Sequence, residues 1–252
     1  MELNLTAIAL LAVTGFLAGG INTIAGGGSN LTLPALMMLG LPADLANGTN
    51  RVAVLMQCVV GVAGYDKHTS LDRPAIVPIL IPTLLGGVLG ALGAAMMPNL
   101  YLKPVLLFTI LSMSVLILLR PEVIAPPAGT PTQSPGDNPK AWWGLFAAGI
   151  YGGFVQAGVG FILLAALAGG LRYDLVRANA LKMTCALAFT VVALAIFIAF
   201  DQVSWVPGLI VATGTMAGAH LAVKVAVKAS QNSIKWFLFA MTLVAVAGGL
   251  SL

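Results

Sequence analysis

Apolar residues gather into ten runs along the chain, five before a proline-rich stretch and five after it. The first set is 3–24, 31–39, 52–64, 75–97 and 105–119, and the second is 142–156, 161–169, 176–200, 206–223 and 236–250. Each run predicts a helix. Crossing a bilayer takes roughly 20 apolar residues, so the shorter runs must extend into polar flanks or stop inside the membrane as half-helices. Residues 120–140 hold Pro121, Pro126, Pro127, Pro131, Pro135 and Pro139 among Gly129, Gly136 and Asp137. That composition predicts a non-helical linker outside the bilayer. Three regions follow: a membrane region 1–119, a linker 120–140 and a second membrane region 141–252.

The first two runs are separated by Ala25-Gly26-Gly27-Gly28-Ser29-Asn30. Glycine weakens helix by roughly 1 kcal/mol per residue relative to alanine, so three in succession break it. Non-helical backbone at membrane depth survives only where protein or a watery cavity satisfies its amides. Ser29 and Asn30 have the side chains of N-cap residues for the helix that follows, and a helix start is a ready anion site. Broken membrane helices are the usual marker of a transporter's substrate site; a turn outside the membrane is the plainer alternative. A second break, Ala157-Gly158-Val159-Gly160-Phe161, stands in the second half.

Composition turns this pattern into a class. Of 252 residues, 59% are hydrophobic and 8% charged, and the mean hydropathy is +1.00. A soluble domain carries about 25% charged residues. The chain reads as an all-α polytopic membrane protein with about eight membrane-spanning helices plus broken or short half-helices. The net charge of +4 reflects loop lysines and arginines, not a nucleic-acid surface. Met1-Glu2-Leu3-Asn4 has no basic region, so the first run is expected to be a retained span. Cys58 and Cys185 sit far apart in apolar runs without histidines nearby, as small core residues do.

The two sets overlay at a constant shift: Gly20, Gly26 and Gly28 meet Gly152, Gly158 and Gly160, each 132 positions on (152 − 20 = 132). Ala46-Asn47 likewise meets Ala178-Asn179, and Lys103 meets Lys235. The asparagines, the lysines and the repeated order of long and broken segments point to an internal duplication. If each broken pair counts as two crossings or none, one side collects Lys67, Arg73, Arg120, Lys140, Arg172, Arg177, Lys182, Lys224, Lys228 and Lys235. The other side keeps Arg51 and Lys103. That split obeys the positive-inside rule and predicts two halves of opposite orientation, an inverted repeat with a cytoplasmic linker and both termini outside. Trp142, Trp143, Trp205 and Trp236 stand at run starts, where aromatic belts lie.

Two polar clusters lie beside the breaks. Asn47-Gly48-Thr49-Asn50-Arg51 leads into the third run, and Arg177-Ala178-Asn179-Ala180-Leu181-Lys182 into the eighth. Asn47 with Asn50, and Asn179 with Lys182, are three apart and share a helical face. Amide donors with one nearby cation suit a small tetrahedral oxyanion. The alternative is interfacial anchoring, with Arg51 and Lys182 snorkelling to head groups. Asn22 and Thr23 before the first break, and Gln156 before the second, are further candidates for the same cavity, or ordinary residues bonded to helix backbone. The candidate substrate-binding set is Asn22, Gly26, Gly27, Gly28, Ser29, Asn30, Asn47, Thr49, Asn50, Arg51, Gln156, Gly158, Gly160, Asn179 and Lys182.

At these residues the chain resembles the TauE/SafE sulfite exporter family, also called TSUP. The likeness rests on the Gly-Gly-Gly-Ser break, Pro34 in the short helix, and Leu-Pro-Ala-Asp-Leu-Ala-Asn-Gly-Thr-Asn-Arg. Gly-Gly-Phe-Val-Gln-Ala-Gly-Val-Gly and Arg-Ala-Asn-Ala-Leu-Lys are the second-half counterparts. It covers essentially the whole chain. The second break departs from the first by lacking a third glycine and a serine, and the second cluster lacks the threonine. The resemblance implies a membrane permease exporting a small sulfur-containing anion, sulfite or an organosulfonate such as sulfoacetate, from a bacterial inner membrane. An importer or a channel-like uniporter for another small oxyanion is the alternative.

Glu2, Asp44, Asp66, Asp72, Glu122, Asp137, Asp174 and Asp201 all fall in loops or at run ends, so no mid-span carboxylate offers a proton relay. His220 lies in an apolar run, expected near the cytoplasmic end of its helix. No Walker motif is present, and expulsion of negative charge from a negative interior needs no titrating group. A membrane-embedded enzyme would need a nucleophile, metal cluster or acid–base pair, and no His/Cys/carboxylate constellation stands in the sequence. The expected partners are the small anionic substrate and the lipid bilayer, with no nucleic acid, metal or cofactor; a homodimer is a further option.

Overall fold

The computed structural model describes residues 4–24, 26–68, 71–119, 126 and 130–228. The predicted run 236–250, Arg120, Lys235 and most of the linker lie outside them. Among the described residues all regular structure is helical. The first half holds α1 (Leu5–Ile24), α2 (Ser29–Met38), α3 (Ala43–Lys67), α4 (Arg73–Ala95) and α5 (Asn99–Leu119). The second holds α6 (Pro139–Phe154), α7 (Val159–Leu164) continuing as a π-helical turn (Ala165–Gly170), α8 (Leu175–Ala199) and α9 (Trp205–Ala226). Four of these, α1, α4, α8 and α9, are long and apolar enough to cross a membrane.

The short run 52–64 grows at both ends into α3, which is 25 residues long, or about 37 Å at 1.5 Å per residue. The polar cluster from Asn47 to Arg51 is therefore inside the helix, not ahead of it. Asn47, Thr49, Asn50 and Arg51 find hydrogen-bond partners outside α3, which offsets part of the cost of burying them. Pro139 and Lys140, assigned above to the linker, form the first turn of α6, with proline where no amide donor is needed. The Asn138 side chain caps that turn by accepting from the Ala141 amide at 3.1 Å.

Helix directions follow from which residues meet. Along α1 and α9, Gly15 lies against Val211 and Gly214, Gly19 against Thr215, and Gly20 against Gly218. Numbers rise together, so the two helices are parallel. Along α3 and α9, Gly208 lies against Thr49, the Thr215 hydroxyl donates to the Ala53 carbonyl, and Gly64 lies against Val223. Helix α3 shares their direction. In α4 and α6, Gly149 meets Thr83 and Gly153 meets Gly87; α8 joins them through Gly87 against Phe189 and Gln202 donating to the Ala95 carbonyl. The α3–α8 crossing runs the other way, with Gly48 beside Phe197 and Gly61 beside Met183. Thus α1, α3 and α9 point one way, and α4, α6 and α8 the other.

The closest approaches use glycines four apart. Gly15 and Gly19 of α1 face Gly214 and Gly218 of α9, while Gly86 and Gly90 of α4 face Gly149 and Gly153 of α6. A Cβ at any of these eight positions would run into backbone of the partner helix. Small residues at this spacing let helices in lipid meet backbone to backbone.

The ends of the bundle differ in charge. Lys67, Arg73, Lys140, Arg172, Arg177, Lys224 and Lys228 sit where α3 and α9 finish and α4, α6 and α8 begin. At the opposite end, Lys103 is the basic residue among the described residues, near Pro42 and Ala43. Arg51 and Lys182, assigned to the flanks in the count above, belong to neither end. His220 is exposed, about two turns before the end of α9.

Candidate functional site

Both breaks interrupt their helices as predicted, and they meet. After α1 ends at Ile24, Gly26 takes φ +101°, a conformation glycine adopts without a Cβ penalty. After α6 ends at Phe154, Gln156 (φ 71°) and Gly158 (φ 76°) do the same work. The Gly160 amide donates to the Gly26 carbonyl at 3.4 Å, and a Cβ on either residue would overlap the other's Cα. Gly27 packs by the Phe161 ring and Gly28 by the Ala18 carbonyl of α1. The breaks thus form one backbone-to-backbone junction between the halves.

Ser29 and Asn30 do not cap α2. Gly28 occupies the cap position without a side-chain bond, and both polar residues lie within the first turn. Their turn closes by backbone bonds, Asn30 N to Gly27 O at 3.1 Å and Leu31 N to Gly28 O at 3.0 Å. This frees the Ser29 hydroxyl to accept from the Asn50 amide at 3.1 Å, while the Thr32 hydroxyl donates to Asn50 Oδ1 at 2.6 Å. Asn50 accordingly ties α3 to the start of α2.

The two cations are buried, at 0% exposure for Arg51 and 1% for Lys182. That overturns interfacial anchoring, which needs the charged head in water. Each reaches the other half. Arg51, on α3, donates from Nη1 to the Gly152 carbonyl at 2.5 Å and to Gln156 Oε1. Its Nη2 donates to the Gly153 carbonyl at 2.8 Å and to Asn47 Oδ1 at 3.3 Å. Asn47 in turn donates to the Phe154 carbonyl at 2.8 Å. Lys182, on α8, donates to the carbonyls of Asn22 (2.9 Å) and Thr23 (3.0 Å) and to Asn179 Oδ1 (2.7 Å). The last carbonyls of a helix have no partner within it and carry the negative end of the dipole. Arg51 therefore caps the end of α6, and Lys182 the end of α1.

Charge at the junction does not balance. Among the described residues the ion pairs are Arg73–Asp66 and Arg177–Asp72, both at the basic end of the bundle. The hydrogen-bond partners of Arg51 and Lys182 are neutral oxygens, and the Arg51 guanidinium also lies 5.3 Å from the Phe197 ring centroid. Two helix C-termini offer about −0.5 charge each, leaving about +1 uncompensated. Among the described residues three buried side-chain donors also lack acceptors: Arg51 Nε, Gln57 Nε2 and Asn179 Nδ2. Such orphaned donors are costly without a ligand.

Asn22 enters the site through its carbonyl, since that is what Lys182 contacts. Gln156 bridges by accepting from both Arg51 and the Thr190 hydroxyl. Thr49 is not brought to the junction; its hydroxyl accepts from the Ser204 amide at 2.9 Å, fixing the α8–α9 connection. Gln57, outside the candidate set, carries one of these donors. Its sequence signal is a lone amide inside an apolar run, seven residues after Asn50 and so near the same helical stripe. The halves also meet at the basic end, where Arg177 pairs with Asp72 at 2.5 Å and lies 5.0 Å from the Tyr173 ring centroid. Burial, and after it the Asp72 carboxylate, push the Tyr173 phenol above its ordinary value.

A helical membrane protein with two interrupted helices meeting between buried cations has the plan of a membrane transporter. Its partners are the lipid bilayer and a small-molecule substrate. Residues 11–249 match the family Sulfite exporter TauE/SafE, and the chain belongs to that family. It is similar to a "Probable membrane transporter protein" of Haemophilus influenzae, 27% identical across 98% of this chain and 96% of the relative. A "Probable membrane transporter protein ORF9" of Sinorhizobium sp is 26% identical across 90% of this chain and 86% of its own length. The "Probable membrane transporter protein YfcA" of Escherichia coli K12 is 23% identical across 90% and 84%.

Proposed function

We propose that this protein exports a small sulfur-containing oxyanion, sulfite or an organosulfonate such as sulfoacetate, bound where the two breaks meet. The observation that carries this reading is the pair of fully buried cations with no carboxylate among their hydrogen-bond partners. In a low-dielectric interior an uncompensated charge is expensive, and an anion arriving at the junction removes that cost. Its oxygens would take over from the helix-end carbonyls on Arg51 and Lys182 and occupy the free donors of Asn179, Gln57 and Arg51 Nε. The oxyanion chemistry agrees with the family's name, and the donors present are those a tetrahedral anion accepts from.

The halves 1–119 and 141–252 are read as an inverted repeat across the linker. In support, α1 runs opposite to α6, α3 opposite to α8, and α4 opposite to α9. Alternating access then consists of the pair α1–α9 and the pair α4–α6, each drawn from both halves, separating at the Gly26–Gly160 contact from one side and the other. The basic end of the bundle would face the cytoplasm of a bacterial inner membrane by the positive-inside rule. For outward passage of one negative charge the membrane potential contributes about 2.3 kcal/mol per 100 mV. Purified protein in liposomes tests the reading. Expected is saturable sulfite or sulfoacetate flux that rises with inside-negative potential for export; flux of neither, with acetate or phosphate carried instead, overturns it.

A further inference from the structure

Away from the junction, a cavity of about 300 Å³ opens between α3 and α9 at the basic end of the bundle. From the end of α3 and the residue after it come Lys67 and His68, from α9 come His220 and Lys224, and just beyond α9 comes Lys228. Gly64 makes the room, because a Cβ there would already press within 3.0 Å of the Val223 side chain. Three lysines and two histidines line it with no carboxylate among its walls; the nearby Asp66 is engaged by Arg73 at 2.9 Å. From Lys224 to His220 is four residues, about 6 Å along the helix axis, so the cavity runs from the bundle end toward the apolar zone. On the adjoining face of α9, Leu221 and Val225 line a second groove of about 270 Å³ with Phe16, Leu17 and Ile21 of α1. Of its apolar walls Phe16, Leu17, Leu221 and Val225 are exposed, as a surface in contact with acyl chains is.

We propose that this cavity binds the headgroup of an anionic phospholipid, with the phosphate between Lys67 and Lys224 and the acyl chains lying along α9 toward the α1 groove. A basic pocket between membrane helices suits such headgroups, and each lysine near an anionic lipid surface contributes favourably. Scattered lysines that merely snorkel would attract anionic lipids weakly and without saturation; a walled cavity holds one headgroup. Nothing in this proposal depends on which anion is transported.

The test uses the full-length protein in detergent, titrated with phosphatidylglycerol or phosphatidylcholine and followed by thermal shift and native mass spectrometry. Expected is a saturable stabilisation and one retained lipid with phosphatidylglycerol only. Lys67→Gln and Lys224→Gln should each weaken it about fivefold, and their combination should abolish it. Lys140→Gln, at the same end but outside the cavity, should bind as wild type. Equal stabilisation by phosphatidylcholine, equal weakening by Lys140→Gln, or full binding by the double variant overturns the proposal. Saturation by glycerol phosphate at the same concentrations would make the ligand a soluble anion, which also overturns it. Should the double variant not fold, the two single variants decide the matter alone.

Discussion

The two halves solve one problem with different side chains. In each, a cation on a long helix crosses to the other half and caps the end of its broken helix. The first half sends Arg51 to three carbonyl and amide oxygens of the second half, plus Asn47 on its own helix. The second sends Lys182 to two carbonyls of the first, plus Asn179. The breaks differ as well: three glycines precede an ordinary helix α2, whereas Gln156 and Gly158 precede a single α-turn that widens into a π-helical one. By the constant shift of 132, Asn47 matches Asn179, but Arg51 falls opposite Met183 and Lys182 opposite Asn50. What both halves share is a cation capping a helix end beside an asparagine; the asparagines keep the register and the cations do not. A planar fork with several donors and a compact ammonium do not serve one anion identically, so the two half-sites are unequal by chemistry.

That inequality sets the largest expected effect. Arg51→Leu strands the Gly152 and Gly153 carbonyls, Gln156 and Asn47, and should destabilise the protein by about 3–5 kcal/mol, an apparent Tm drop of about 10 °C. Lys182→Leu strands fewer oxygens and should cost less stability while still abolishing flux. Thermal melting in detergent beside liposome flux separates the two; equal melting losses would erase the distinction between the half-sites.

Next in size is a contrast within the first break. Gly26→Ala combines a left-handed φ, worth about 1–2 kcal/mol for a residue with a Cβ, with overlap onto Gly160, so assembly and flux should both fall. Gly27→Ala meets the edge of the Phe161 ring at 3.1 Å, which a small ring shift relieves. Its abundance and flux should stay near wild type. If both variants behave alike, the Gly26–Gly160 contact is not what joins the halves.

The smallest effects sharpen the comparison of the asparagines. Asn47 spends its amide on the Phe154 carbonyl, whereas the Asn179 amide is unengaged. Asn179→Ala should therefore lower substrate affinity about tenfold, or roughly 1.4 kcal/mol, with melting nearly unchanged. Asn47→Ala should act on melting before affinity, and Gln57→Ala should resemble Asn179→Ala. Binding isotherms with sulfite for the three variants would show it; an Asn47→Ala loss confined to affinity would make the asparagines equivalent after all.

The breaks, the asparagines and the cations were legible because each contradicts its apolar surroundings. Glycine triplets and amides in a hydrophobic run have few purely structural reasons to be there. Which cation serves which break was not legible, because chain proximity suggests Arg51 for the first and Lys182 for the second. The crossing of partners is a property of how the halves interleave. Arg51 looked interfacial because it lies at the edge of an apolar run, and only the growth of α3 to Ala43–Lys67 puts it inside. Ser29 looked like a cap by its type; the Asn50 amide on a neighbouring helix competes for its hydroxyl. The four glycine pairs joining α1 to α9 and α4 to α6 were hidden by abundance, with 29 glycines in the chain.

Those glycine pairs have a consequence for how the chain is built. Helix α1 has its closest neighbour in the second half, and α6 has its own in the first. Neither half can fold as a finished object, since each leaves exposed the smooth glycine track meant for the other. On the proposed alternating-access reading, the bodies that swing are α1 with α9 and α4 with α6, each stitched from both ends of the polypeptide. Cutting the chain in the linker should accordingly yield two pieces that are insoluble or degraded alone and stable when made together, like the halves of a clasp.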